Sequence, residues 1–144
     1  MLIFTIKSVT LMNQLDCILL VDDDQICNFL NENIIHLVDG KLKVHTALNG
    51  QSAMDFVHQN YDRCPQLILL DLNMPVMDGF EFMDEFAKLP DEIKKNIYIV
   101  ILTSSDYDKD RDRAGQYSSV VSGYVTKPLT QEKMSGIVEA CFRE

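Results

Sequence analysis

Hydrophobic residues after residue 13 follow two alternating patterns: short continuous runs, and longer segments with a helical repeat. Continuous apolar runs are typical of strands that are covered on both faces of a parallel sheet. They predict strands at Cys17–Val21, Leu67–Leu70 and Ile97–Leu102, with weaker strands at Lys41–Ala47 and Val120–Val125. The chain therefore contains five predicted strands, spread along its whole length.

The segments between these strands repeat their apolar residues at spacings of three and four, which is the period of a helix. The apolar positions are Ile26, Phe29, Leu30, Ile34, Leu37 and Val38; Ala53, Met54, Val57 and Tyr61; Phe82, Met83 and Phe86; and Met134, Ile137, Val138 and Cys141. Asp39-Gly40 is a stop for the first helix, and Thr130 is a cap for the last. The segment Asp108–Tyr117 is charged and nearly lacks an apolar stripe, so it is the weakest predicted helix.

Strands that alternate with helices five times predict an α/β domain with a parallel sheet and helices on both faces. Asn49-Gly50 would suggest a hairpin elsewhere, but the helical period after it indicates a strand-to-helix loop. Residues 14–144 form the predicted domain. Residues 1–13 are apolar and β-prone, and we interpret them as an extension or the product of an upstream start codon, with Met12 as an alternative start. A signal peptide is a less favoured alternative, because no small-residue cleavage site is evident.

Composition excludes several classes of protein. The 144 residues include 13 basic and 22 acidic side chains, a net charge of −9, which lacks the basic footprint of a nucleic-acid binder. The apolar runs are shorter than the roughly 20 residues that span a bilayer. The four cysteines are scattered without a CxxC motif, and there are three histidines. This pattern predicts reduced, mostly buried thiols in a cytoplasmic protein and argues against a zinc site.

Carboxylates follow two of the predicted strands. The first strand ends in Asp22-Asp23-Asp24 and the third ends in Asp71. Ligands of doubly wound sheets bind outside the carboxyl ends of the strands, so these groups are expected to converge. Converging carboxylates repel one another, and Mg²⁺, which prefers oxygen ligands, relieves that repulsion. Thr103 and Lys127 end the fourth and fifth strands. Alone, each feature is explained by a cap or a turn, but together they surround a space of phosphate size.

The stretches ILLVDDD, LILLDLNMPVMDGF, VILTSS and GYVTKP occur in the order and spacing of a known family. From about Asp16 to Phe142 the chain resembles the receiver domain of two-component response regulators. The resemblance implies a flavodoxin-like, doubly wound, five-stranded parallel sheet with strand order 2-1-3-4-5. It also implies that Asp71 accepts a phosphoryl group as a nucleophile.

The same resemblance assigns roles around Asp71. Asp22, Asp23 and Asp71 would bind Mg²⁺ with the backbone carbonyl of Asn73, and Asp24 belongs to the entry of the first helix. Lys127 would neutralise charge on the phosphoryl oxygens. In the family the lysine is commonly followed by a cis proline, here Pro128. Gly79, at the start of the third helix, is interpreted as a position of backbone freedom.

The resemblance further implies a switch. In the family the threonine, here Thr103, moves towards the phosphoryl group, and an aromatic residue of the fifth strand, here Tyr124, turns inward. The output surface would be the fourth helix, fifth strand and fifth helix. Ser104 and Val120-Val121 depart from the residues usual in the family.

The resemblance also implies partners for this protein, and other functions were weighed against it. The expected partners are a sensor histidine kinase or histidine phosphotransfer protein and a downstream target protein, in the cytoplasm, with no membrane or nucleic acid. The protein would catalyse only its own phosphorylation and dephosphorylation, as a stand-alone receiver or part of a longer regulator. The main alternative is an interaction module that has this fold without control by phosphorylation. A haloacid dehalogenase phosphatase is disfavoured, because Asn73 stands where its second aspartate is required.

Overall fold

A single sheet of six strands is present in the computed structural model, which describes residues 3–4, 15–104 and 108–142 and the side chains of residues 15–104 and 112–142. The strands are β1 Ile3–Phe4, β2 Cys17–Val21, β3 Lys43–Ala47, β4 Leu67–Asp71, β5 Tyr98–Thr103 and β6 Gly123–Thr126. Their order is β1-β6-β5-β4-β2-β3. The five strands β2 to β6 are parallel and follow the predicted order 2-1-3-4-5 when they are numbered by themselves, which confirms the predicted fold.

The first strand, β1, lies within residues 1–13, which precede the predicted domain. Within residues 1–13, Ile3 and Phe4 pair antiparallel with β6, Ile3 opposite Tyr124 and Phe4 opposite Gly123. The rest of that segment lies outside the described residues. These two residues therefore cover the outer edge of β6.

Six helices are present in the described part of the chain, five between strands and one after the last strand. They are α1 Gln25–Val38, α2 Gly50–Asn60, α3 Gly79–Ala87, α4 Asp91–Lys94, α5 Asp108–Gly115 and α6 Gln131–Phe142. The weakly predicted helix is confirmed as α5. The four-residue α4 was not predicted, because one turn is too short to show a helical period. None of these helices has the length and apolar composition that a bilayer crossing requires.

Successive residues of the central strands pack on opposite sides of the sheet. Ile18 and Leu20 of β2 face a cluster with Ile35 of α1 and Met134 and Ile137 of α6. The residues between and after them face the other cluster, which α2, α3 and α5 cover; its members include Leu19, Val21, Ala53, Met54, Val57, Phe82, Met83, Phe86 and Ala114. Both faces of β2, β4 and β5 are thus buried, as their continuous apolar runs predicted.

Helix α1 is oriented differently from its apolar pattern. Its buried residues are Asn28, Asn31 and Ile35. Four of its six patterned apolar residues are exposed: Ile26 by 70%, Phe29 by 63%, Leu30 by 56% and Leu37 by 66%. The helix was predicted correctly, but its apolar stripe is not its buried face. A polar contact fixes the orientation, because the side-chain amide of Asn28 donates to the carbonyl of Asp22 at 3.0 Å.

Two cysteines are joined, contrary to the prediction that all four are reduced. Cys17, at the start of β2, forms a disulfide with Cys64, 47 residues later, with 5.5 Å between their Cα atoms. The loop that carries Cys64 is held against β2, since the side chain of Gln66 accepts the backbone N–H of Cys17 at 2.9 Å. Cys27 and Cys141 are thiols.

Candidate functional site

Three carboxylates lie together at the carboxyl ends of β2 and β4. Asp22 directly follows β2 and is 4% exposed, and Asp71 ends β4 and is 9% exposed; Asp23 is exposed. One carboxylate oxygen from each lies within 4.8 Å of the others. The strands place them there, because β2 and β4 are neighbours and Val21 pairs with Leu70.

Asp22 is held by contacts on both its backbone and its carboxylate. Its Oδ1 accepts the backbone N–H of Asp24 at 2.9 Å, and its Oδ2 accepts the ammonium of Lys127 at 2.9 Å. Burial acts to raise the pKa of Asp22, but these two hydrogen bonds, a third with the thiol of Cys27 and the charge of Lys127 together outweigh it, and the pKa is lowered. Asp22 is therefore a fixed anion. Asp24, whose carboxylate accepts the N–H of Ile26 and of Cys27, caps α1 as expected.

The negative charge of Asp71 is less well compensated than that of Asp22. Burial raises its pKa, and the charge of Asp22 adds to that effect. The ammonium of Lys127 opposes both, but it lies 3.4 Å from Oδ1 of Asp71, farther than from Asp22. Lys127 is also affected: burial acts to lower its pKa, while the two carboxylates raise it overall. Of the two buried carboxylates, Asp71, the predicted nucleophile, is thus the less stabilised as an anion.

The donor set fits a hard divalent cation. Three carboxylates face a single ammonium, which leaves two negative charges uncompensated. Carboxylate and carbonyl oxygens are the ligands that Mg²⁺ prefers. Asn73, whose carbonyl was expected to contribute, lies exposed in the loop two residues after Asp71.

Thr103 and Lys127 come from the next two strands. Thr103 ends β5, is 8% exposed and pairs with Thr126 at the end of β6. Its carbonyl accepts the backbone N–H of Lys127 at 2.8 Å, so the end of β5 fixes the backbone that carries the lysine. The Lys127–Pro128 bond is cis, as the resemblance implied. Tyr124, on β6, is partly buried against the core cluster.

Two glycines hold the loop that follows Asp71. A Cβ atom on Gly79 would lie 2.6 Å from the carbonyl oxygen of Asp71, and one on Gly50 would lie 2.7 Å from that of Met77. Neither glycine has a positive φ. The expected reason for Gly79, backbone freedom, is therefore wrong, and close approach is the reason. Its N–H donates to the carbonyl of Leu72 at 3.0 Å.

Val76, at the tip of the same loop, was not singled out from the sequence. It has φ 68°, and the N–H of Met77 donates to the carbonyl of Pro75 at 2.8 Å across it. A branched residue in this conformation is a strained outlier. Since Val76 is 81% exposed, no core contact accounts for it. A Gly or Asn there would have indicated the turn, but Val carries no such sign.

The positions that depart from the family pattern have ordinary surroundings. Ser104 is exposed, next to Thr103. Val120 and Val121 are 7% and 5% exposed and belong to the core cluster on the α5 side of the sheet. Nothing in the structure explains why valines are used there.

A groove lies beside the acidic site. Helix α1 forms one wall, with Gln25, Asn28, Phe29 and Glu32, and the end of β3 with the start of α2 forms the other. Its volume is about 560 Å³. The side chains of Ile26, Phe29 and Leu30 are exposed on the first half of α1. This helix begins at Gln25, two residues after Asp23, so these side chains lie near the acidic site.

Comparison with known proteins gives one consistent result. The sequence model of the family described as the response regulator receiver domain matches residues 18–139. A probable methanogenesis regulatory protein, FilR2, of Methanothrix harundinacea is 32% identical over 125 residues, which are 85% of this chain and 78% of that protein. The two-component response regulator ARR22 of Arabidopsis thaliana is 30% identical over 136 residues, 94% of this chain and 90% of that protein.

Solved structures agree with the sequence matches. The crystal structure of a two-component response regulator from Cytophaga hutchinsonii is similar to this chain with a TM-score of 0.76 and 32% identity, and the match covers 87% of this chain and 97% of that one. Other relatives are longer: the matched region makes up 54% and 50% of two further regulators.

Proposed function

Because the chain belongs to the receiver-domain family of two-component response regulators, we propose that it accepts a phosphoryl group on Asp71 and transmits a signal through the surface that this modification changes. The observation that carries the proposal is the cluster of Asp22, Asp23 and Asp71 with Lys127 at the carboxyl ends of the parallel strands β2, β4 and β6. Receiver domains of this kind are regulatory proteins, and the reaction proposed for this chain is limited to its own aspartate.

In the proposed reaction a carboxylate oxygen of Asp71 attacks the phosphorus of a phosphohistidine. A P–O bond forms, and the P–N bond breaks with its electron pair remaining on the donor's imidazole. Lys127 is already within 3.4 Å of Asp71, close enough to neutralise charge on the transferred group, and the hydroxyl of Thr103 would donate a hydrogen bond to it. Mg²⁺ bound by Asp22, Asp23, Asp71 and the carbonyl of Asn73 would supply the remaining positive charge.

A histidine kinase or histidine phosphotransfer protein is the proposed donor, and we place its contact surface on the first half of α1. The donor must bring its imidazole to Asp71, so it has to touch the rim of the site, and α1 begins at that rim. Ile26, Phe29 and Leu30 are exposed by 70%, 63% and 56%, a concentration of apolar surface that typically marks a protein interface. The adjoining groove would receive a side chain of the donor.

The surface formed by α5, β6 and α6 is the proposed output region, where a downstream target protein would bind. Phosphorylation adds about −1.5 to −2 charges beside Thr103 and Lys127. Thr103 lies at the end of β5, next to β6, which carries Tyr124. Among the described side chains of α5, Ala114 is buried, and the guanidinium of Arg113 lies 3.9 Å from the ring centroid of Phe80.

We assign residues 14–144 to the receiver domain and residues 1–13 to an extension, and we place the protein in the cytoplasm, where family donors present their histidines. The net charge of −9 supports a protein target rather than nucleic acid.

The experiment is incubation with Mg²⁺ and acetyl phosphate, followed by intact mass measurement. Wild type is expected to gain one phosphoryl group, which a chelator prevents, and Asp71→Asn is expected to gain none. Asp62→Asn, a change at an exposed aspartate, is the matched control and should gain as wild type does. A wild type without the added mass, or an equal gain on Asp71→Asn, would exclude Asp71 as the acceptor and favour the phosphorylation-independent module.

A further inference from the structure

A second group of metal-ligating side chains lies at the opposite end of the sheet from Asp71. Cys17 begins β2, His45 lies in β3, and Cys64 lies in the loop before β4. One ligand atom from each lies within 4.8 Å of the others. Cys17 begins the five-residue strand that Asp22 follows, so Cys17 is about 16 Å from Asp22 along the strand.

The sheet explains why three residues so distant in sequence meet. Cys17 pairs with Lys43 in the parallel register of β2 and β3, and His45 is two residues further along β3. Residues two apart on a strand point to the same face, so His45 and Cys17 are diagonal neighbours on one side. The ring of His45 packs against Phe56 of α2 with 4.9 Å between centroids, which fixes its position.

The sulfurs of Cys17 and Cys64 can bind a metal ion only when the disulfide between them is reduced. In the cytoplasm proposed above, cellular thiols keep most cysteines reduced. The reduced chain then presents two buried sulfur ligands, of Cys17 and Cys64, which are 2% and 8% exposed. The imidazole of His45 beside them is exposed, so an ion can reach the site from the side of His45. Two thiolates and an imidazole are a donor set for zinc, in which a water molecule completes the tetrahedron.

We propose that Cys17, Cys64 and His45 form a binding site for Zn²⁺ in the reduced protein. Zn–S bonds of about 2.3 Å and Zn–N bonds of about 2.0 Å place tetrahedral ligands roughly 3.6–3.8 Å apart. The sulfurs reach that separation by side-chain rotation from the disulfide, and the imidazole nitrogen approaches by about 1 Å from the 4.8 Å limit. Zinc and the disulfide exclude each other, because each uses both sulfurs.

The balance of the reaction is simple. A trialkylphosphine reduces the disulfide with two electrons: it takes the oxygen of one water molecule to become a phosphine oxide, and the two sulfurs take the protons. Zinc binding then releases both thiol protons to solvent. A phosphine is preferred to a thiol reductant, which would itself bind zinc.

The test uses the full chain, reduced by phosphine in Mg²⁺-free buffer and titrated with Co²⁺ as a probe. Thiolate ligands give cobalt a charge-transfer band in the near ultraviolet that carboxylates do not give, so binding at Asp22, Asp23 and Asp71 is distinguished. Reduced wild type is expected to show the band and to lose it when one equivalent of Zn²⁺ displaces the cobalt. The oxidised protein should show no band.

Variants assign the ligands. Cys64→Ser should abolish the band, and the double variant Cys27→Ser/Cys141→Ser should keep it. His45→Gln changes an exposed residue and is expected to leave the fold intact, which thermal unfolding checks; it should weaken zinc binding by at least the 10- to 100-fold that loss of a supporting partner costs. A band that is absent from reduced wild type, that survives in Cys64→Ser or that is unaffected by His45→Gln overturns the site. Phosphorylation of Asp71 is measured separately, so the two proposals fail independently.

Discussion

The ammonium nitrogen of Lys127 lies 2.9 Å from Oδ2 of Asp22, a residue 105 positions earlier in the chain. Its distance to Asp71 is longer, at 3.4 Å. In this state the lysine therefore neutralises a proposed metal ligand more closely than it does the nucleophile. If Asp22 binds a divalent cation as proposed, the ammonium and the cation compete for the same carboxylate, and we expect this competition to affect both the stability of the fold and the metal affinity.

Replacing Lys127 with Ala should destabilise the protein and tighten Mg²⁺ binding. Asp22 is 4% exposed, and a buried charge that loses its partner typically costs about 3 kcal/mol. Mg²⁺ should restore part of the loss, because the cation replaces the ammonium. Urea unfolding with and without Mg²⁺ measures both effects. Lys88→Ala, which removes an exposed pair with Glu85, should change the free energy of unfolding by less than about 0.5 kcal/mol. Equal effects of the two substitutions would contradict the assigned role.

Asp71→Asn should stabilise the metal-free protein at neutral pH. Burial and the charge of Asp22 raise the pKa of Asp71, so its ionised form disfavours the fold. A raised pKa contributes stability that is present in acid and is lost as pH rises through the folded-state pKa. The advantage of the variant over wild type in thermal unfolding should therefore grow from acid to neutral pH.

Two comparisons test this prediction. Asp62→Asn, at an exposed position, should give no such pH-dependent gain. Mg²⁺ should stabilise wild type more than Asp71→Asn, since the variant has lost a ligand. A variant no more stable than wild type at neutral pH would show that Lys127 compensates Asp71 fully.

Gly79→Ala should lower both stability and the rate of phosphorylation. The added Cβ would meet the carbonyl oxygen of Asp71 at 2.6 Å and the Cα atom of Leu72 at 2.9 Å, and neither backbone atom can move freely. Overpacking of this kind costs about 1–3 kcal/mol, and the displacement falls on the nucleophile itself. The rate of phosphoryl gain from acetyl phosphate is the direct measurement.

Gly115→Ala is the matched control for that substitution. A Cβ at Gly115, the last residue of α5, has open space within 4 Å. Alanine is favoured over glycine in a helix by up to about 1 kcal/mol, so this variant should be neutral or stabilised and phosphorylated normally. If Gly79→Ala behaved in the same way, the close approach would not matter to the site.

Phe29→Ala should slow phosphoryl transfer from a histidine phosphotransfer protein that phosphorylates wild type, by about tenfold or more. It should leave the reaction with acetyl phosphate unchanged, because a small donor needs no docking surface. Leu37→Ala is the control: Leu37 is similarly exposed, at 66%, but it lies two helical turns further from the site, about 12 Å. Equal slowing by both variants, or slowing with acetyl phosphate, would argue against docking on the first half of α1.

The parts of this molecule that the sequence predicted are those with continuous or periodic apolar patterns. The strands β2, β4 and β5 were found because both of their faces are buried, and strand order then followed from the family resemblance. The orientation of α1 was missed because periodicity detects a helix without identifying which of two candidate faces is buried. Here the hydrogen bond from Asn28 to the carbonyl of Asp22 determines which face of α1 is buried, and that contact exists only in the folded chain.

The disulfide between Cys17 and Cys64, which are distant in sequence, was another feature that the sequence did not predict. No spacing rule links Cys17 to Cys64, because their separation of 47 residues matches no metal or disulfide motif. Their proximity depends on the register between β2 and β4 and on the contact of Gln66 with Cys17. The carboxylates were easier to predict, since each ends a strand and parallel strands end at one edge of the sheet.

The pairing of Ile3 with Tyr124 links the amino terminus to the strand that carries the proposed switch residue. Without β1, the N–H and C=O groups on the outer side of β6 would face solvent, and exposed edges of this kind recruit further strands. Shortening the chain, for example to the alternative start at Met12, would therefore do more than remove a tail. It would turn a closed edge of the proposed output region into an open one, available to another polypeptide or to a second copy of the chain.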